Sequence, residues 1–250
     1  MPYEKGPDLS NRRLKDADFS GSRLHAPNFE GTKITDGWLA DTDISAYIDG
    51  LRINGVEVAP LVLAELERMF PERAKLRSTD PAGLAEAWAM IEALWETTVA
   101  RARRLPESAW YEQVDDEYSF VETLRHLIFA TDAHFSRMVL GETRPWHPWG
   151  LAGDFLADPG ELGLDPSARP SLDEVLEVRR QRMTAVRAAI ANLTPEALEG
   201  ICDPPPAPGH PDHSRPMLRC FHVILDEEWE HNRYANRDLA ILEEPRRAAG

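Results

Sequence analysis

From residue 79 to residue 242 apolar side chains recur at intervals of three and four, the spacing that lays one stripe along an α-helix, and each such run opens on helix-starting residues. Thr79-Asp80-Pro81 predicts a helix to about Leu105, with Asp80 as its cap and Pro81 in its first turn. Ser119-Phe120-Val121-Glu122 is a capping box, and the helix it opens is expected to stop near Gly141. Its stripe is Phe120, Leu124, Leu127, Ile128, Thr131, Phe135 and Met138. A second box, Ser171-Leu172-Asp173-Glu174, opens a helix ending near Leu193, and a fourth helix follows Pro216. Four amphipathic helices of this length predict a four-helix bundle. The connections from Gly141 to Pro170 and from Asn192 to Pro216 are long and rich in Pro and Gly, so helices two and three are expected to run parallel across a long crossover.

The N-terminal pattern is different. Leu9, Leu14, Phe19, Leu24, Phe29, Ile34, Leu39 and Ile44 return every fifth residue, a period of neither helix nor strand. Ala17-Asp18-Phe19 and Pro27-Asn28-Phe29 resemble the repeat of pentapeptide-repeat proteins. That resemblance implies a right-handed β-helix with the apolar residue pointing inward and about two coils from eight repeats. So short a stack buries little by itself and is expected to dock on the rest of the chain. A turn at Asn54-Gly55 and a short helix from Pro60 to Phe70, with Leu61, Leu63, Leu66 and Phe70, lead into the bundle. The expected modules are residues 1–58 and 59–250.

In the last helix the stripe Met217, Phe221, Ile224, Ala235, Leu239 and Leu242 is interrupted by Glu228 and His231, with Glu227 at its border one turn before His231. A carboxylate and an imidazole facing a core are costly unless a metal or a polar network satisfies them. On helix two, His126 points away from the stripe, toward Ala130, Ala133 and His134; periodicity places it in solvent, though the alanines allow a loop, a helix or a substrate to approach closely.

Ser119 to Leu127 resembles the second-helix signature of the DinB/YfiT superfamily, in which a Ser or Thr cap precedes a metal-binding His by seven residues. Leu225 to Tyr234 resembles the closing HxxxH helix of the same superfamily. The resemblance covers about residues 60 to 243 and implies a mainly α fold, a bundle of up-down-down-up connectivity. Carried over residue by residue, it places His126 and His231 at the first and third metal positions, while Glu227 stands where the second His would be. Two imidazoles and a carboxylate suit zinc first, with nickel, iron or manganese as alternatives. The competing reading is a site without metal in which Glu227 pairs with an arginine such as Arg125. Glu228 either orients His231 or pairs with an arginine. Tyr234 and Asp238 lie on the side of His231 and are candidates to hold its second ring nitrogen. His134, Trp146, His147, Trp149 and His213 are candidates to line a substrate pocket, with Trp146-His147-Pro148-Trp149 serving as an aromatic wall or as a plug over the bundle.

The superfamily includes enzymes that use low-molecular-weight thiols such as bacillithiol and mycothiol. The resemblance therefore implies a metal-dependent thiol S-transferase or isomerase acting on a small electrophile, with a thiol as co-substrate; a metal-dependent hydrolase and a non-catalytic small-molecule-binding or interaction module remain as alternatives. A formal charge of -15 argues against nucleic acid or anionic lipid as partner. The start MPYEKGPDLS has no apolar leader, so the chain is expected in the cytoplasm. The repeat face would suit a homodimer. Cys202 and Cys220 form no CxxC pair and read as small apolar residues.

Overall fold

The computed structural model describes residues 6–153, 156, 158–204, 206–208 and 214–244. His210 and His213 lie outside the described residues. The chain divides into two compact units, Met1–Ala59 and Pro60–Gly250.

In the first unit the five-residue period is written into the backbone. Asn11, Asp16, Gly21, Ala26, Gly31, Asp36 and Asp41 all have positive φ, one residue in every five. The turns are pinned by short-range bonds: Arg12, Ser22 and Thr32 donate backbone N–H groups to the carbonyls of Leu9, Phe19 and Phe29, and Asp8, Asp18 and Asn28 side chains accept from the N–H two residues on. No strand is formed among residues 6–51, and the repeated apolar side chains stay 45–65% exposed. The expected inward-pointing core is therefore not closed, because so few repeats give each apolar residue too few stacked neighbours to cover it. The unit ends in a hairpin, β1 (Arg52–Ile53) against β2 (Val56–Glu57). Asn54 and Gly55, both with positive φ, make the two-residue turn.

The second unit begins with α1 (Ala59–Met69) and a 3₁₀ turn over Pro71–Arg77. Four long helices follow: α2 (Pro81–Ala102), α3 (Phe120–Thr131), α4 (Leu172–Ala191) and, after the four-residue α5 (Pro195–Leu198), α6 (Met217–Glu243). A small hairpin, β3 (Ile201–Cys202) with β4 (Arg215–Pro216), precedes α6. The starts follow local chemistry. The Asp80 side chain accepts from Gly83 N–H, and both Ser119 and Ser171 complete reciprocal capping boxes with Glu122 and Glu174.

Cross-helix contacts fix the directions. α2 runs parallel to α6, since His222 meets the Ser78 carbonyl at one end and Arg101 pairs with Glu243 at the other. α4 is antiparallel to α2, with Arg103 on Asp173 and Arg187 on Glu92. α3 runs with α4, as Arg125 reaches the Ala168 carbonyl and Asp132 pairs with Arg182. Up-down-down-up connectivity results. The core between them is built from Trp88, Ile91, Trp95, Leu124, Leu127, Ile128, Phe135, Val175, Val186, Phe221, Ile224 and Leu239. Among the described residues no helix is long and apolar enough to cross a membrane.

Two expectations about α3 are corrected. The helix does not continue unchanged to Gly141: it widens into a π segment over Asp132–Ser136. Nor is it half in solvent, since Val121, Thr123, Arg125, Ala130 and Ala133 are buried as well as the stripe. The crossover from 141 to 170 is the cover. Arg125 donates to the carbonyls of Trp149, Asp165 and Ala168 at 2.8–2.9 Å and so binds that loop to the outer face of α3.

Candidate metal centre

α3 and α6 lie antiparallel and adjacent, which brings His126 to His231 with ring centroids 4.7 Å apart. Glu227, one turn before His231, stands between them: its Oε2 is 3.6 Å from His126 Nε2 and 3.5 Å from His231 Nδ1. One ligand atom from each of the three lies within 4.8 Å of the others. A cation bonded at about 2.0–2.2 Å to each would need them within about 4.4 Å, so only a slight contraction is required.

The ring orientations are set from outside the group. His126 Nδ1 lies 3.0 Å from the Leu151 carbonyl, so as donor there it leaves the Nε2 lone pair facing Glu227. His231 Nδ1 lies 2.8 Å from the Glu227 carbonyl one turn back, which leaves its Nε2 as the free lone pair. Tyr118 and Phe129 flank the His126 ring at 5.5 and 6.4 Å, and Tyr234 meets His231 edge-on at 6.2 Å. These contacts hold two imidazoles and a carboxylate together, a donor set that a cation would complete.

The electrostatics agree. Burial by itself would raise the Glu227 carboxyl, but contact with His126 and the fields of His231, His126 and His134 overcome it and hold the group down at about 2. His231 is pushed down to about 4, first by burial and then by its neighbour His126. At neutral pH the glutamate is thus ionised and His231 is neutral, the states in which both bind metals.

The family model of the DinB superfamily matches residues 90–235, more than half of the chain. The chain belongs to the DinB superfamily. No curated protein and no solved structure matches it. In this DinB chain all three of His126, Glu227 and His231 fall within the matched segment.

The remaining candidates separate. Glu228 does not orient His231: it is wholly buried and receives two hydrogen bonds from Arg179, at 2.7 and 2.6 Å. Arg125 is committed to loop carbonyls, so it is not the partner of Glu227. Asp238 accepts from Arg237 and lines a small cleft between α3 and α6 beside Tyr118, instead of holding the His231 nitrogen. Tyr234 touches His231 with its ring but gives it no hydrogen bond, because the i−4 carbonyl already occupies Nδ1. His134, carried by the π segment, is close enough to feel Glu227 and His126, and burial lowers its pKa. Trp146 stacks on Phe129 at 5.6 Å, next to the His126 side of the centre. His147 and Trp149 belong to the plug: the His147 N–H donates to Asp132, its Nδ1 accepts from the Trp149 N–H, and Trp149 packs on the main core. Sequence reasoning missed the Leu151 carbonyl and Tyr118. A backbone oxygen carries no residue signature, and Tyr118 precedes the capping box at a position where helical periodicity says nothing.

Proposed function

We propose that this DinB chain is a metal-dependent enzyme acting on a small molecule, with a divalent cation, zinc foremost, held by His126, Glu227 and His231. The observation that carries the reading is the convergence of three ligand atoms, from two helices, to within 4.8 Å of one another. When bound, the cation would supply Lewis-acid activation of a thiol or a water. The protein's own part is positional. Leu151 and the Glu227 carbonyl hold the two rings in register, the Glu227 carboxylate offsets positive charge, and Phe129 with Trp146 excludes water from one side. The three side chains keep 16%, 29% and 21% of their surfaces accessible, so a reactant can reach them. Of the chemistries open to such a centre we favour transfer or isomerisation with a low-molecular-weight thiol as co-substrate, because among the described residues no further side chain stands out as an obligatory base.

We also read residues 9–44 as a short pentapeptide-repeat β-helix, supported by the positive φ at every fifth residue.

Elemental analysis of untagged protein tests the centre. About one divalent metal per chain is expected, with loss in His126→Ala and in His231→Ala. Consumption of a small thiol in the presence of an alkylating electrophile, dependent on that metal, tests the chemistry. Metal-free wild type would overturn the centre; a loaded protein that consumes no thiol but hydrolyses esters or amides would move the reading to a hydrolase.

A further inference from the structure

A second set of metal-ligating atoms lies outside the His–Glu–His group. β3 supplies Cys202, the first turn of α6 supplies Met217 and Cys220, and the turn after the π segment supplies Met138. These sulfur side chains pack together, with Val139 beside them, at the edge of the main core. Both cysteines are free and buried. The Cys202 thiol donates to the Met217 Sδ across 3.4 Å, and Cys220 packs in the same cluster as Cys202. Two sulfurs sharing one cation at about 2.3 Å each must lie within about 4.6 Å, and the observed separation satisfies that.

The backbone, not the sulfurs, sets this geometry. Cys202 is held opposite Arg215 in the β3–β4 hairpin, and the Met217 N–H donates to the Gly200 carbonyl at 2.9 Å. Met138 is differently engaged, because Arg137 donates to its sulfur. Met217 instead accepts from Cys202, so two thiols and one thioether are the sulfurs that lie together without an arginine on them.

We propose that Cys202, Cys220 and Met217 form a binding site for a soft monovalent cation of the copper(I) type, separate from the His126–Glu227–His231 centre. Thioether and thiolate donors select soft cations, whereas zinc, magnesium and manganese take nitrogen or oxygen in preference to a thioether. Charge points the same way. One thiolate and one monovalent cation make a neutral unit, the only kind that a site this buried tolerates cheaply. Binding forms sulfur–cation bonds and releases the Cys220 proton to solvent, with no change in oxidation state.

The test is competition for copper(I) between the reduced full chain and the chromogenic chelator bicinchoninate, without oxygen. Wild type and His126→Ala are both expected to withhold about one copper per chain, with an ultraviolet sulfur-to-metal band. Cys202→Ser and Cys220→Ser should each lose affinity by at least about tenfold, and the near-isosteric Met217→Leu, which keeps the fold, should weaken it detectably. The proposal falls if wild type yields all its copper to the chelator, if Met217→Leu and both Ser variants hold as much as wild type, or if His126→Ala abolishes retention. It falls too if oxygen-exposed wild type loses both titratable thiols to a disulfide while the reduced protein shows no copper band.

Discussion

Glu227 and Glu228 are neighbours on α6, yet they end in opposite environments. Glu228 is sealed in the core and receives both of its hydrogen bonds from one guanidinium, with Trp95 close to the face of the same arginine. Glu227 stands partly open among His126, His231 and His134, with imidazoles in place of a guanidinium. The difference separates two uses of a charge placed near a core. A carboxylate with a guanidinium donor on each oxygen serves the fold; one grouped with two imidazoles, each able to offer a lone pair, is prepared for something that is not protein.

The largest effect belongs to the sealed pair. Arg179→Ala or Glu228→Ala leaves an uncompensated buried charge and should destabilise by about 3–5 kcal/mol, measured by urea unfolding, whereas replacing both with Met and Leu should come close to wild type. If a single replacement costs no more than a surface substitution, the contrast between the two glutamates collapses. At the open group the expected loss is chiefly in metal. Glu227→Gln should lower divalent-metal affinity by more than about 100-fold by calorimetric titration, beyond the effect of removing an outer partner, while metal-free unfolding at neutral pH should lose about 1–3 kcal/mol, the stability that the ionised carboxylate supplies.

pH sharpens the same contrast. His231 falls from 6.5 unfolded to about 4 folded, so the folded state binds fewer protons across that window. Its contribution is fully present above pH 6.5 and is lost as pH falls through about 4, on the order of 1–3 kcal/mol. Glu227, held at about 2, extends the loss below pH 4.5. Chelator-treated wild type should therefore lose stability between pH 6.5 and 4, and His231→Ala should flatten that limb; an unchanged slope would show that the ring is not held neutral by burial. The smallest effect is a cap. Ser119→Ala removes the acceptor for the Glu122 N–H at the start of α3 and should cost about 1 kcal/mol without displacing His126 enough to release metal.

How much could be read in advance depended on range. The helix starts at Pro81, Phe120 and Leu172 were legible because caps act within three residues. The His126–His231 pairing was legible only through resemblance, and periodicity alone turned His126 outward. The error has a physical source: Arg125 fastens the crossover to the back of α3, and no local rule contains a bond spanning forty residues. The five-residue period was legible as turns, and Asn11 through Asp41 adopt them, but periodicity does not say whether enough repeats are stacked to bury Phe19 or Phe29. Glu228 was visible inside the α6 stripe and Glu227 at its border, and the resemblance put Glu227 at the metal position; the choice of Arg179 as the partner of Glu228 was not legible.

The sequence by itself determined what is short-range: where helices begin, which stripe each buries, the turn at every fifth N-terminal residue, and the presence of two imidazoles and a carboxylate with ligand chemistry. Tertiary structure decided which acceptors meet. Arg179 reaches Glu228 from α4 while His126 reaches Glu227 from α3, and that choice depends on the sides from which two distant helices pack against α6. Contacts made across many residues of intervening chain are set by the packing of the whole bundle, and a one-residue step along a helix turns a side chain by about 100°, enough to exchange one partner for another.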